Sequence, residues 1–173
     1  MAVSPDDIAA ALAAFDGRHV APLRVCVGDA FSAAAMQALL IALPGPHQIG
    51  ASWMLKALAE TGRLSDADLR ATLQQLPALH EPDAILHVLQ TVQYAPASDA
   101  RALRDHLRPL YRHTRGMVRV WAFDAYCRGA DLPAERADIA ARIDAALTDR
   151  QAAMRARGRG LARHFGGFFD PKS

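Results

Sequence analysis

At 173 residues, 51% of them apolar, the chain is long enough to bury one sizeable core. Only 6% is aromatic while alanine is abundant, a balance that suits closely packed helices. Two cysteines, Cys26 and Cys127, exclude a disulfide framework, and the most apolar stretch, 31–43, is too short to span a bilayer. The net charge of +2 is uneven: residues 1–149 carry 14 basic and 17 acidic side chains, residues 150–173 carry 6 and 1. Reduced thiols and a start without a basic n-region give a cytoplasmic expectation, with no membrane association.

Helix signals follow one another along the chain. Ser4-Pro5-Asp6-Asp7 combines an N-cap, a first-turn proline and acids at the positive end of the dipole, and Ile8, Leu12 and Phe15 continue the stripe to Asp16-Gly17. In 19–29, Leu23, Val25 and Val27 alternate with Arg24 and Cys26, the pattern of a short strand. No partner strand is evident, so an extended connector is predicted there. A helix over 30–43 ends at Pro44-Gly45-Pro46, and the next, over 47–61, ends at Gly62 as a left-handed cap. Ser65-Asp66-Ala67-Asp68 opens a helix with Leu69, Leu73 and Leu76 on one face, and Pro82 opens another that runs to about Tyr94.

Ser98-Asp99 opens a helix over 99–112 with Leu103, Leu107, Leu110 and Tyr111 as its stripe. Gly116 and Gly129 bound the next one. Pro133 starts a helix in which Ile139, Ile143 and Leu147 face inward, and Thr148-Asp149-Arg150-Gln151 reads as a capping box opening a short terminal helix. Gly158 and Gly160 should interrupt that helix beyond Arg157, since each costs about 1 kcal/mol in a helix interior. Eight or nine helices with short connections describe an all-α fold of antiparallel hairpins in a single domain over 1–173, with 1–46 as an N-terminal hairpin or cap and 149–173 as a basic tail.

A period runs through the middle. Trp53 and Trp121 stand 68 positions apart, twice 34, and His87 falls halfway. Leu55, Leu89 and Phe123 correspond, as do Leu58, Val92 and Tyr126, which is the signature of stacked supersecondary units. Val118-Arg119-Val120-Trp121-Ala122-Phe123-Asp124-Ala125-Tyr126-Cys127 resembles the first helix of a HEAT-like repeat. Gly50 to Leu58 is a looser copy, and 82–92 keeps the apolar spacing alone. The resemblance covers 47–148 and implies a short α-solenoid used mainly to bind proteins, with some members of the family binding nucleic acid. A scaffold of this kind does not specify a function.

Several side-chain groupings are candidates for chemistry. Arg101, Arg104, Arg108 and Arg112 fall within about 80° of one another on an ideal helix, and Arg115 and Arg119 follow at the start of the next. Such a row is either an anion-binding ridge or an ordinary solvated face with Asp99 and Asp105 beside it. The five arginines of 150–163 and Phe165, Phe168 and Phe169 suggest a tail that folds back to cap the last repeat or docks a partner. His80, Asp83 and His87 lack the spacing of a His-Glu-x-x-His metal site, and His87 reads as a structural replacement for the tryptophan wedge. Asp124 sits inside an apolar run and needs a partner, for which Arg128 is correctly placed four residues on. No serine or cysteine elbow, phosphate loop or zinc spacing stands out, so neither a catalytic residue nor a metal or cofactor is assigned. The sequence therefore favours a protein-binding scaffold using Arg101, Arg104, Arg108, Arg112, Arg115 and Arg119. The alternative is a nucleic-acid-binding solenoid using the same ridge, and a small-molecule or metal-dependent enzyme ranks third.

Overall fold

The computed structural model describes residues 2–166, and among them every regular element is helical: eleven α-helices and three short 3-10 turns, with one isolated bridge between Val3 and Phe31. The protein is all-α. Although no composition shift marks a boundary, contacts gather into two compact units, Met1–Pro96 and Ala97–Ser173.

The first unit holds α1 (Pro5–Ala14), α2 (Ala21–Gly28), α3 (Ala33–Ala42), α4 (Gln48–Glu60), α5 (Asp66–Gln74) and α6 (Pro82–Thr91). Three of its helices, α1, α3 and α5, start on their own side chains, while α2 and α4 have no side-chain cap. Ser4 and Asp7 form a capping box at α1, Ser65 and Asp68 form one at α5, and Ser32 accepts the Ala35 N–H at α3. The α6 start is served by Gln48 of α4, whose Oε1 accepts the N–H groups of His80 and Glu81 at 3.0 and 3.1 Å. Gly62 ends α4 with φ of 68°, as its sequence position predicts. Ile8, Leu12, Leu23, Leu39, Met54, Leu55, Leu58 and Leu89 form the core. Gly50 lets α4 seat closely on α1, because a Cβ there would lie 3.0 Å from the Leu12 Cδ2 and 3.1 Å from the Phe15 Cδ1.

The extended connector predicted over 19–29 is instead helix α2. Pro22 occupies its first turn, and Leu23 and Cys26, three residues apart, are the buried pair, while Val25 is 73% exposed. The alternation of Leu23, Val25 and Val27 was therefore misleading, since only one of those three side chains reaches the core.

The second unit holds α7 (Ala97–Ala102), α8 (Arg104–Leu107), α9 (Gly116–Arg128), α10 (Leu132–Leu147) and α11 (Ala152–His164). The single helix predicted over 99–112 is broken into α7, α8 and a 3-10 turn, Pro109–Arg112. Pro109 has no N–H to give to the preceding turn, and its ring crowds the carbonyl four residues back. Helix α9 is central: Val118, Val120, Trp121, Ala122, Asp124, Ala125 and Cys127 are all buried, which leaves it no single apolar face. Gly129 lets its end meet α7, where a Cβ would fall 2.7 Å from the Arg101 nitrogen.

Two expectations for the C-terminal segment are also corrected. Thr148 ends α10 without opening a capping box, and Gln151, the actual N-cap of α11, makes no side-chain cap bond. Helix α11 continues through Gly158 and Gly160 to His164. A Cβ at Gly158 would lie 3.1 Å from the Ala146 Cβ and 3.3 Å from the Leu147 nitrogen, so the glycine permits close seating of α11 on α10. Packing outweighs propensity here. Leu161 and Phe165 complete a cluster with Cys127, Ala130, Ile139 and Ile143; Phe168 and Phe169 lie outside the described residues.

Candidate functional site

The three copies of the period are not buried alike. Leu55 and Leu89 are fully buried, as are Leu58 and Val92, but the corresponding Phe123 and Tyr126 in α9 are only half-buried. Together with Arg119, one turn earlier, these two rings line a half-open cavity of about 490 Å³ in the second unit. Tyr111 of the 3-10 turn, Arg142 of α10 and Met154 of α11 form further walls, and Asp149, Arg150 and Gln151 supply the rim between α10 and α11.

The cavity is positively charged. Three guanidinium groups line it against one carboxylate, Asp149, whose Oδ1 accepts the Gln151 N–H at 2.7 Å. Arg119 is held by its donation to the carbonyls of His113 (2.7 Å) and Thr114 (3.2 Å). Arg142 is paired with Asp138 at 2.7 Å and lies 4.7 Å from the centre of the Tyr126 ring. That pairing holds the Asp138 carboxyl below the usual carboxylate range. Arg150 is exposed. Tyr111 meets Tyr126 edge to face at 6.1 Å, and burial pushes its phenol well above the ordinary tyrosine value, so it stays a neutral donor. Its hydroxyl is buried with no hydrogen-bond partner.

The six arginines singled out by the sequence have different surroundings. Arg101 donates to the carbonyls of Gly129 (3.1 Å) and Ala130 (3.3 Å), tying α7 to the end of α9. Arg104 pairs with Glu135 and rests 4.3 Å from the centre of the Tyr126 ring; that bond from Arg104 keeps the Glu135 carboxyl low. Arg119 lines the cavity. Arg108, Arg112 and Arg115 are exposed, the last at the N-cap of α9.

Helix α9 also carries an ionic cluster that the sequence half announced. Asp124 is fully buried and accepts from Arg128 Nε at 2.8 Å, the predicted pair. A second partner comes from α11: Arg157 Nη1 is 3.4 Å from the other carboxylate oxygen, and its guanidinium stacks 3.6 Å above the Trp121 ring. Arg157 thus fastens the basic helix to α9.

Elsewhere, His80 meets Gln48 and His87 meets Ser52, each through Nδ1 at 3.0 Å, so both histidines are engaged by neutral side chains of α4. Among the described residues no group of three or more His, Cys, Asp or Glu is arranged to hold a metal ion. Within the same residues no helix is long and apolar enough to cross a membrane.

Sequence reasoning missed Tyr111, Arg142, Arg150 and Met154 as neighbours, and assigned Phe123 and Tyr126 to the core. The one available signal was the change from aliphatic to aromatic residues at two core positions of the last copy, where larger rings leave a less complete seal. No family model, curated protein or solved structure matches the chain.

Proposed function

We propose that the chain is a protein-binding module built from HEAT-like helical hairpins, non-catalytic, which takes an acidic segment of a partner on the second unit. The observation that carries this reading is the cavity at α9, where Arg119, Arg142 and Arg150 meet an aromatic wall with only Asp149 of opposite charge. A half-enclosed cleft lined by one sign of charge concentrates complementary groups and speeds their encounter. The exposed Arg108 and Arg112 add positive surface on the same unit. The scaffold side is supported by α4 and α6, the first helices of two successive periods, which pack on each other.

A second reading has its own observation. Because α11 is continuous, Arg159 and Arg163 stand exposed one turn apart on an intact helix, an arrangement compatible with a phosphate backbone. One titration separates the two. Fluorescence anisotropy is followed with a labelled twelve-residue glutamate-rich peptide and with a labelled single-stranded oligonucleotide, each at low and physiological salt. Binding of the peptide that survives physiological salt, with weaker binding of the oligonucleotide, supports the protein-binding role. Tighter oligonucleotide binding with a steep salt slope replaces it with the second, and absence of both signals at low salt removes both.

A further inference from the structure

Two helices that open on the cavity, α9 and α11, start among basic side chains, whereas α2 and α4, which are also uncapped, have no arginine at their N-caps. Helix N-termini carry partial positive charge and are normally met by acids or hydroxyl caps. Neither α9 nor α11 has a side-chain cap, and neither has an acidic residue in its first turn. Arginines stand there instead: Arg115 at the N-cap of α9 with Arg119 in its second turn, and Arg150 beside the N-cap of α11. The two starts are adjacent, since a Cβ on Gly116 would lie 2.8 Å from Gln151 Nε2. Both open on the same cavity, through Arg119 and through Gln151 and Met154. Positive side chains at two positive helix ends are mutually unfavourable until an anion arrives, and local conflict of this kind marks functional positions.

The walls specify more than charge. Phe123, Tyr111 and Met154 offer ring and thioether surfaces, while the Tyr126 ring is already engaged by Arg104 and Arg142. A volume of about 490 Å³ lies within the range of side-chain and small-ligand pockets, and is too small for a folded element.

We infer that this cleft is the acceptor for one anchoring aromatic side chain flanked by carboxylates in an extended segment of the partner protein. The inference rests on the protein-binding reading and names what the partner must present. The ring enters against Phe123 and Met154. The flanking carboxylates meet Arg119 and Arg150 and the free N–H groups at the start of α11, where charge-assisted bonds are strongest. Aromatic anchors in partly enclosed pockets commonly dominate such interfaces.

The test uses the full chain and two labelled peptides, acetyl-Asp-Glu-Phe-Asp-Glu-amide and its alanine counterpart, in an anisotropy titration at low salt. The phenylalanine peptide should bind about tenfold more tightly than the alanine one. Arg150→Glu, at an exposed position, should weaken both peptides, and Met154→Ala should erase most of the difference between them while circular dichroism stays unchanged. Equal binding of the two peptides, still weakened by Arg150→Glu, overturns the aromatic anchor and leaves the acidic-partner reading standing. No binding of either peptide overturns both. A difference between the peptides that survives Met154→Ala and Phe123→Leu together removes this cleft as its location.

Discussion

The two units solve the same helix-end problem in different ways. In the first, α1 and α5 begin with Ser–Asp capping boxes and α3 with a serine cap, so these three starts are satisfied locally by residues within three positions in sequence, while α2, α4 and α6 have no cap from their own N-cap side chains. In the second, α9 and α11 begin among arginines with no side-chain cap. Stability in the second unit is supplied instead by distant contacts, notably the fastening of Arg157 to Asp124 and Trp121 and the seating of Gly158 on Ala146. The contrast teaches that uncapped ends are tolerated where tertiary packing holds the helix, and that such ends remain available to an external anion.

The strongest way to break the comparison is at its ionic fastening. Asp124→Ala leaves Arg128 and Arg157, side chains only 16% and 24% exposed, without their carboxylate. Urea denaturation should show a loss of about 3–5 kcal/mol; a loss under about 1 kcal/mol would mean the cluster does not hold α11. Trp121→Ala removes a buried ring and the platform for Arg157, and should cost about 3–5 kcal/mol. Trp53→Ala, at a half-buried site, should cost roughly half of that. Equal costs would restore the equivalence of the two positions that the period implies.

Smaller changes test the caps themselves. Ser65→Ala should lower stability by about 1 kcal/mol, since it removes the hydroxyl that accepts the Asp68 N–H while the Asp68 carboxylate keeps the backbone N–H of residue 65. In the opposite sense, Gln151→Asp supplies the cap that α11 lacks and should raise stability by up to about 1 kcal/mol, measured by thermal unfolding, while weakening capture of an acidic peptide. Stabilisation without loss of peptide binding would separate the helix start from the cleft.

The mildest perturbation is pH. His164 is held below its ordinary value of 6.5, first by burial and then by the charge of Arg128. Asp138 and Glu135 are held below theirs mainly by Arg142 and Arg104. In every case the folded state takes up its proton at lower pH than the unfolded state, so stability is present above the unfolded value and declines as pH falls. Denaturation midpoints should therefore drop modestly from pH 7 to pH 5.5 through His164 and further below pH 4.5 through the two carboxylates. Replacement of His164 by Gln should flatten only the first step.

Much of the helical layout was legible because its signals are local. Ser4, Ser65, Pro82 and Gly62 act within one turn of where they stand, and each delimits the element that its sequence position indicates. The failures share one cause, which is packing from elsewhere. Val25 and Val27 imitate a strand, but burial selects Leu23 and Cys26. Gly158 and Gly160 should weaken a helix, yet α10 requires a residue without a side chain at 158. The row of Arg101, Arg104, Arg108 and Arg112 presumes one continuous helix, where the structure has α7, α8 and a 3-10 turn, and the cleft joins residues from 111 to 154 that no spacing connects.

Sequence by itself determined the all-α class, most helix boundaries, the Asp124–Arg128 pair and the excess of arginine toward the C-terminus, since each depends on neighbours a few residues apart. Only the tertiary structure decided which arginines fasten helices and which reach solvent. It also decided that the last copy of the period opens a cavity where the earlier two close. Burial and charge environment are properties of side chains brought together across the fold, and a one-dimensional pattern does not contain them.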